Sequence, residues 1–259
     1  MQYLLTLLIF TQIVAALLGL FIPASYKKTF QYGALIIGLI QLLILCLIFQ
    51  SYNNETGTFR LTEKVSWITL DMGAWGLLQA DYFVALDGMS LSMVSLSVIV
   101  MLIAVVSSFT IDKNIKGYFI LLLILNGAII GSFCALDLLL FYLFFEFMLL
   151  PMYFLIGIWG GPKREYASIK FFLYTLLGSI FILIAIIALY LSAKNPASTD
   201  QQLIHTFNIL HLSDPNNFIA DSILHPDSTW TLGIYSARLW VFLLLFVGFA
   251  IKLPMVPFH

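Results

Sequence analysis

Two ionisable residues of opposite charge lie inside long apolar segments of this chain. Glu146 is near the middle of 136–159, and Lys252 is inside 240–258. A charge at the centre of a bilayer costs roughly 2.5–3.5 kcal/mol on insertion scales, so such residues usually face a protein interior or hydrated cavity and mark proton or ion paths. Helix packing is the alternative for Glu146, and snorkelling toward the interface is the alternative for Lys252.

Prolines follow both residues at short spacing. Pro151 lacks an N–H, which frees the carbonyl of Phe147 and loosens the helix beside the acid. Pro254 and Pro257 come directly after Lys252. They predict a discontinuous helix, which transporters use at ion sites near the middle of the membrane.

Two further residues are weaker candidates for a proton path. Lys170 lies about one turn into an apolar segment, where snorkelling to the nearby interface also explains it. His259 follows the predicted helix break, and its near-neutral pKa suits a relay, although a polar core histidine is almost as good an explanation. Asp137 belongs to the exterior turn, which favours a surface acid over a relay. We expect solvated side chains for the loop histidines His205, His211 and His225, which show no ligand spacing.

The sequence predicts no metal and no cofactor in this chain. Cys46 and Cys134 lie in apolar segments without Cys/His spacing, so we expect small core residues and neither a disulfide nor a metal site. No Gly-rich phosphate loop, nucleotide fingerprint, cysteine cluster or pair of haem ligands is present.

Composition identifies a polytopic helical membrane protein. The 259 residues are 61% hydrophobic and 10% charged, with a mean hydropathy of +1.02, and a soluble domain could not bury so much apolar surface. The twelve basic residues are scattered, which argues against nucleic-acid binding. Segment 1–22 lacks a basic start and a cleavage site, so it is interpreted as a retained first span.

Apolar segments of about twenty residues predict an all-α fold with about seven transmembrane helices, the last one broken. The fourth and fifth are separated at 135–137 by a tight turn. The predicted spans are 2–22, 30–50, 89–110, 117–134, 136–159, 166–191 and 239–259.

Charge alternates between successive connections and predicts the orientation. Basic connections stay on the cytoplasmic side, so the N-terminus and the acidic connections should be exterior. The basic connections hold Lys27, Lys28, Lys113, Lys116, Lys163 and Arg164. The acidic connections hold Glu55, Glu63, Asp71, Asp81, Asp87, Asp137, Asp200, Asp214, Asp221 and Asp227.

Two exterior connections are long enough to have structure. In 51–88, alternating residues at 65–70 and a second segment at 82–86 are compatible with a small hairpin. In 192–236, apolar residues at helical spacing between Leu203 and Leu210 predict a short amphipathic helix.

The end of the sequence predicts a longer protein. From the interface residue Trp240 to Lys252 is about 18 Å of helix, less than the roughly 30 Å of a bilayer core. The prolines then stop the helix, and a carboxylate at His259 would lie within the membrane.

Several of these segments resemble chain M, or subunit 4, of respiratory complex I, the NADH–quinone oxidoreductase. They are EFMLLPMYFLIGIWGG from Glu146, ASIKFFLYT from Ala167, FAIKLPMVPFH from Phe249 and LDGMSL from Leu86. The resemblance covers the whole chain. Cation/proton antiporter subunits of the multi-subunit type share the glutamate and the Lys-Pro break, whereas the Met-containing segments favour complex I.

The resemblance implies a fold of roughly 14 helices with two inverted repeats, each with a broken helix and an intramembrane lysine. The first three helices would occupy 1–116, with the exterior loop 51–88. Helices 4–7 of an incomplete first repeat would occupy 117–259, with the exterior loop 192–236. Glu146 matches the fifth-helix glutamate that pairs with the seventh-helix lysine, here Lys252. Lys170 and His259 match positions in or near the polar path.

The implied function is that of a proton-translocating, non-redox subunit of a proton-pumping NADH:quinone oxidoreductase. FMN, iron–sulfur clusters and quinone would be held by partner subunits. Partners would include other membrane-arm subunits, among them sister antiporter-like subunits, in an energy-transducing, bacterial inner membrane. A multi-subunit sodium/proton antiporter and a non-pumping structural subunit are the alternatives.

Overall fold

The computed structural model describes residues 3–54, 56–71, 73, 77–198, 203–220 and 222–257. His259, one of the candidate path residues, lies outside these ranges. Within them the chain is mostly helical, because a helix satisfies its own backbone hydrogen bonds where no water is available. In the same ranges, two small sheets lie in the connections, the first of them where a small hairpin was expected.

Within the described ranges, six helical spans are long and apolar enough to cross a membrane, and they confirm the first six predicted spans. The fifth span consists of two helices, α5 and α6, separated at Met148. The spans are α1 (Leu4–Phe21), α2 (Lys27–Asn54), α3 (Gly88–Ser107, with a 3₁₀ turn to Thr110), α4 (Ile115–Cys134), α5 (Leu138–Phe147) with α6 (Leu149–Trp159), and α7 (Arg164–Ser192). Two other helices are α8 (Ile209–Leu212) and α9 (Ala237–Lys252).

The seventh predicted span is the 16-residue helix α9, which ends at Lys252. At 1.5 Å per residue it is about 24 Å long, shorter than the apolar core of a bilayer. Leu253 donates a hydrogen bond to the carbonyl of Phe249 at 2.9 Å, and Met255 donates to Ala250 at 3.0 Å. The donors of these two bonds follow the end of α9, and the bonds satisfy carbonyl groups near its C-terminus.

The chain divides into two compact units. The first comprises Met1–Glu63, Val84–Ala135 and Leu143–Ile169. Its helices α1, α2, α3 and α4 pack around an apolar cluster that includes Phe30 and Phe119. Buried amide side chains add polar contacts, since Asn126 on α4 donates a 2.8 Å hydrogen bond to Gln12 on α1.

The second unit comprises Lys64–Phe83, Leu136–Tyr142 and Lys170–His259. Helices α7 and α9 approach closely in it at two glycines. A Cβ on Gly248 would lie 2.7 Å from the carbonyl oxygen of Gly178. Small residues of this kind let membrane helices pack backbone against backbone.

The connection between α2 and α3 contains two paired strands, β1 (Arg60–Asp71) and β2 (Leu77–Leu86), which confirms the predicted strands there. A second, shorter pair is β3 (Thr231–Leu232) with β4 (Tyr235–Ser236), which are antiparallel.

The amphipathic helix predicted across Leu203–Leu210 is wrong. Residues 203–208 have no helical turn, and Ile204 forms a bridge with Leu77 at the start of β2. His205 forms another with Lys194. Within 203–212, only the four residues of α8 are helical, because the backbone of the preceding segment pairs with other parts of the chain.

Large apolar side chains cover the outer surfaces of the helices. Leu39 and Leu43 on α2 are exposed, as is Ile103 on α3. Exposed side chains of this kind are expected in a membrane protein, whose surroundings are lipid rather than water.

Candidate proton-translocation site

Glu146 lies in the last turn of α5, two residues before the interruption of the span at Met148. The side chain is half-buried, and its Oε1 atom is inaccessible to solvent. The hydrogen bond from Met148 N–H to the Phe144 carbonyl is 3.3 Å long. An acid therefore stands beside a local irregularity in an otherwise apolar span.

Pro151 explains why the span divides where it does. It is buried in the first turn of α6, where a missing N–H is tolerated because first-turn N–H groups have no acceptor within the helix. Proline cannot supply the hydrogen bond that would join the carbonyl of Phe147 to a continuous helix. Pro151 therefore accounts for the interruption of the span at Met148, close to Glu146.

Lys252 is the last residue of α9 and is half-buried. Its ammonium stands at the negative end of the helix dipole, a position that favours a cation. Pro254 lies in the turn that follows and Pro257 in the next one, and neither continues the helix. Gly248, one turn earlier, holds α9 against α7.

Lys170 lies in the second turn of α7, and its side chain is exposed. Glu146 belongs to the first compact unit, whereas Lys170 and Lys252 belong to the second. The pairing of Glu146 with Lys252, and the place of Lys170 and His259 in a path, stay predictions.

Asp137 is buried, with 2% of its surface exposed, so the prediction of a surface acid is wrong. Its Oδ1 accepts hydrogen bonds from the N–H groups of Leu139 and Leu140, both at 3.0 Å, and therefore caps α5. Its Oδ2 accepts a 3.3 Å bond from the N–H of Asp81 on β2. An acid directly before an apolar helical segment is a capping signal that the sequence does contain.

Burial raises the pKa of Asp137 to about 6, and the charge of Asp81 adds to this effect. The three backbone N–H groups act in the opposite direction by stabilising the carboxylate. Asp81 is itself buried and pairs with Lys64, whose Nζ lies 3.0 Å from Oδ2 of Asp81.

The histidines are less solvated than the sequence suggests. His205 is buried, with its Nδ1 3.1 Å from the carbonyl oxygen of Ala193, so its prediction is wrong. His211 and His225 are half-buried. Burial lowers the pKa of His211, and the charge of Lys64 lowers it further.

Two other residues differ from expectation. Cys46 is exposed on α2 rather than in the core, whereas Cys134 is buried. Glu63 belongs to an acidic connection but is buried, and its carboxylate accepts hydrogen bonds from Leu5 and Thr6 at the start of α1. In the described ranges, no three His, Cys, Asp or Glu side chains are placed to hold a metal ion.

Part of the chain matches a known protein family. Residues 135–259 match the family model described as the transmembrane region of NADH:quinone oxidoreductases and Mrp antiporters. NADH-quinone oxidoreductase subunit M of Rickettsia bellii is 34% identical over 246 residues, which are 93% of this chain and 43% of that protein. Subunit M of Rhodobacter capsulatus is 34% identical over 264 residues, covering 100% of this chain and 47% of the relative. Residues 135–259 therefore resemble this family, and nearly the whole chain is similar to these two subunits M.

Solved structures show the same fold. A chain of respiratory complex I from Thermus thermophilus with bound NADH has a TM-score of 0.72 and 22% identity, over 98% of this chain and 45% of that chain. A chain of the Mrp complex from Dietzia has a TM-score of 0.57 and 19% identity, over 71% of this chain and 19% of that chain. The chain spans less than half the length of the curated relatives it matches.

The segment that matches the family model is 135–259. Glu146, Lys170 and Lys252 all lie in it, and so does Asp137. The apolar helical spans make this chain a multi-pass membrane protein.

Proposed function

We propose that this chain is a proton-translocating membrane-arm subunit of an NADH–quinone oxidoreductase. The observation that carries the proposal is an acid, Glu146, at an interruption of an apolar span inside the segment that matches the family. The chain itself would carry out no redox chemistry. Partner subunits would hold FMN, iron–sulfur clusters and quinone.

In this proposal Glu146 controls the protonation of Lys252. At an effective dielectric constant near 20, a charge pair at 4 Å is worth about 4 kcal/mol. This corresponds to roughly three pKa units, since one unit is about 1.4 kcal/mol. The carboxylate would favour the ammonium of Lys252 when near, and withdrawal of the carboxylate would favour loss of the proton.

The interruption at Met148 supports movement of Glu146. A continuous helix resists local change, because each residue is held by hydrogen bonds one turn before and after it. The missing bond at Pro151 removes one of these restraints beside the acid. Redox chemistry elsewhere in the complex would then shift Glu146 by changing polar contacts along the membrane arm.

The partners and location follow from the same proposal. Other membrane-arm subunits, including sister antiporter-like subunits, would flank this chain in a bacterial inner membrane. The basic connections would face the cytoplasm and the N-terminus the exterior. Lys170, exposed on α7 near a basic connection, and His259 would extend the polar path.

Replacement of Glu146 by glutamine tests the proposal, because glutamine keeps the size of the side chain and removes its charge. The full-length variant is assembled into its complex and reconstituted in vesicles. We expect loss of NADH-driven acidification, with NADH oxidation by an artificial electron acceptor unchanged. Glu165→Gln is the matched control, since Glu165 is exposed in the first turn of α7.

Full acidification by Glu146→Gln would contradict the proposal and favour a structural subunit. Loss of assembly would favour the packing role of Glu146. A sodium/proton antiporter subunit is the second candidate, supported by the likeness to the Mrp complex. Transport that needs sodium and proceeds without NADH would favour this candidate.

A further inference from the structure

The segment before α5 is held on both sides by other parts of the second unit. Leu136 donates a 2.9 Å hydrogen bond to the carbonyl of Phe83 on β2. Leu138 donates an equally short bond to the carbonyl of Phe207. Asp137 lies between these two residues and forms a bridge with Asn208. Its burial therefore results from strand-like pairing of three distant segments.

The charges around Asp137 do not balance. Asp137 and Asp81 are both buried carboxylates. Lys64 pairs with Asp81 at 3.0 Å, and in the part of the chain that the structure describes no Lys or Arg nitrogen lies within 4.0 Å of the Asp137 carboxylate. Lys64 is therefore engaged with Asp81 and not with Asp137. A proton on one of the two carboxylates would remove the excess negative charge.

We propose that Asp137 is a proton-binding site on the side of the membrane opposite the basic connections, in which the proton substitutes for the missing second cation. A hydronium ion from solvent gives its proton to a carboxylate oxygen of Asp137 and leaves as water. The reverse step returns the proton to water. No other bond forms or breaks.

The segments around this site carry four titratable groups. Asp81 on β2 repels the ionised carboxylate, and Lys64 on β1 is engaged with Asp81. His211 on α8 responds to the charges of Lys64 and Asp81, and the buried His205 contacts the Ala193 carbonyl. Burial raises the pKa of Asp137 to about 6, against 3.8 for an ordinary aspartate, so the group changes charge near physiological pH.

The site is distinct from Glu146 and lies nine residues before it, at the cap that precedes the same span. Any part that Asp137 plays in transport rests on the proposed function. Proton binding itself does not, because it can be measured without NADH, partners or pumping. An experiment can therefore disprove proton binding by Asp137 without disproving the proposed transport function, and the reverse.

Infrared difference spectroscopy of the full chain in lipid vesicles tests proton binding. Titration should reveal a carboxylic acid C=O band with a midpoint at about pH 6. The band should vanish in Asp137→Asn. It should persist in Asp87→Asn, a matched control because Asp87 also caps a helix but has its pKa lowered by hydrogen bonds from Ser90.

Two variants that keep Asp137 test whether the charges of Asp81 and Lys64 influence its protonation. Asp81→Asn removes the competing carboxylate and frees Lys64, so the midpoint should fall by about one pH unit. Lys64→Gln leaves the charge of Asp81 without its cation, so the midpoint should rise by a similar amount. A band that persists in Asp137→Asn, or a midpoint that neither substitution moves, would overturn the proposal.

Discussion

The carboxylate of Glu63, at the start of β1, accepts a 2.8 Å hydrogen bond from the backbone N–H of Leu5 in the first turn of α1. It also accepts a 3.1 Å bond from the N–H of Thr6. First-turn N–H groups have no acceptor within their own helix. A residue 58 positions away therefore caps the first membrane span and fixes β1 to its end.

Glu63→Ala should destabilise the protein by about 1–3 kcal/mol, because two buried N–H groups of α1 would lose their acceptor. Thermal unfolding in detergent measures the effect. Asp71→Asn is the control, since Asp71 is an exposed acid at the other end of β1, and it should change stability by less than about 0.5 kcal/mol. Equal effects of the two substitutions would show that the cap contributes nothing.

Gly248→Ala should separate α7 from α9, because the added methyl group would lie 2.7 Å from the Gly178 carbonyl oxygen. Overpacking of this kind costs about 1–3 kcal/mol, measured as a lower unfolding temperature in detergent. Gly33→Ala on α2 is the matched control, since no other atom lies within 4 Å of its added Cβ. Its stability should stay the same or rise by up to about 1 kcal/mol. A Gly248→Ala protein as stable as wild type would contradict the packing.

Asp137→Asn should change the pH dependence of stability. Because the folded pKa of about 6 exceeds the ordinary 3.8, the contribution of Asp137 to stability is complete below about pH 4 and lost as pH rises through 6. Above pH 7 the ionised group costs up to about 3 kcal/mol. Asparagine still caps α5 but does not titrate. The stability of the variant relative to wild type should therefore increase as the pH rises from 4 to 8.

Unfolding temperatures of Asp137→Asn and of wild type, measured from pH 4 to 8, test this expectation. Asp87→Asn should behave in the opposite way, because a lowered pKa stabilises the folded protein above about pH 4. This variant should therefore be less stable than wild type throughout the range. A constant difference between Asp137→Asn and wild type from pH 4 to 8 would refute the raised pKa.

The sequence predicts the spans well and the connections poorly. Spans such as α2 and α4 follow from length and hydropathy, which are local properties. The burial of Asp137 depends instead on backbone pairing with β2 and with Phe207, about 70 residues later, and no local pattern encodes such pairing. For the same reason the helical spacing from Leu203 was misleading, since that segment pairs with the start of β2.

A double-mutant cycle on proton pumping tests whether Glu146 and Lys252 act together as a proton switch. Glu146→Gln, Lys252→Gln and the double variant are compared as protons moved per NADH oxidised in vesicles that contain the whole complex. If the two residues act as one unit, each single variant should lose pumping and the double should be no worse than the poorer single. Independent, multiplying losses, or full pumping by the double variant, would contradict a shared Glu146–Lys252 proton switch.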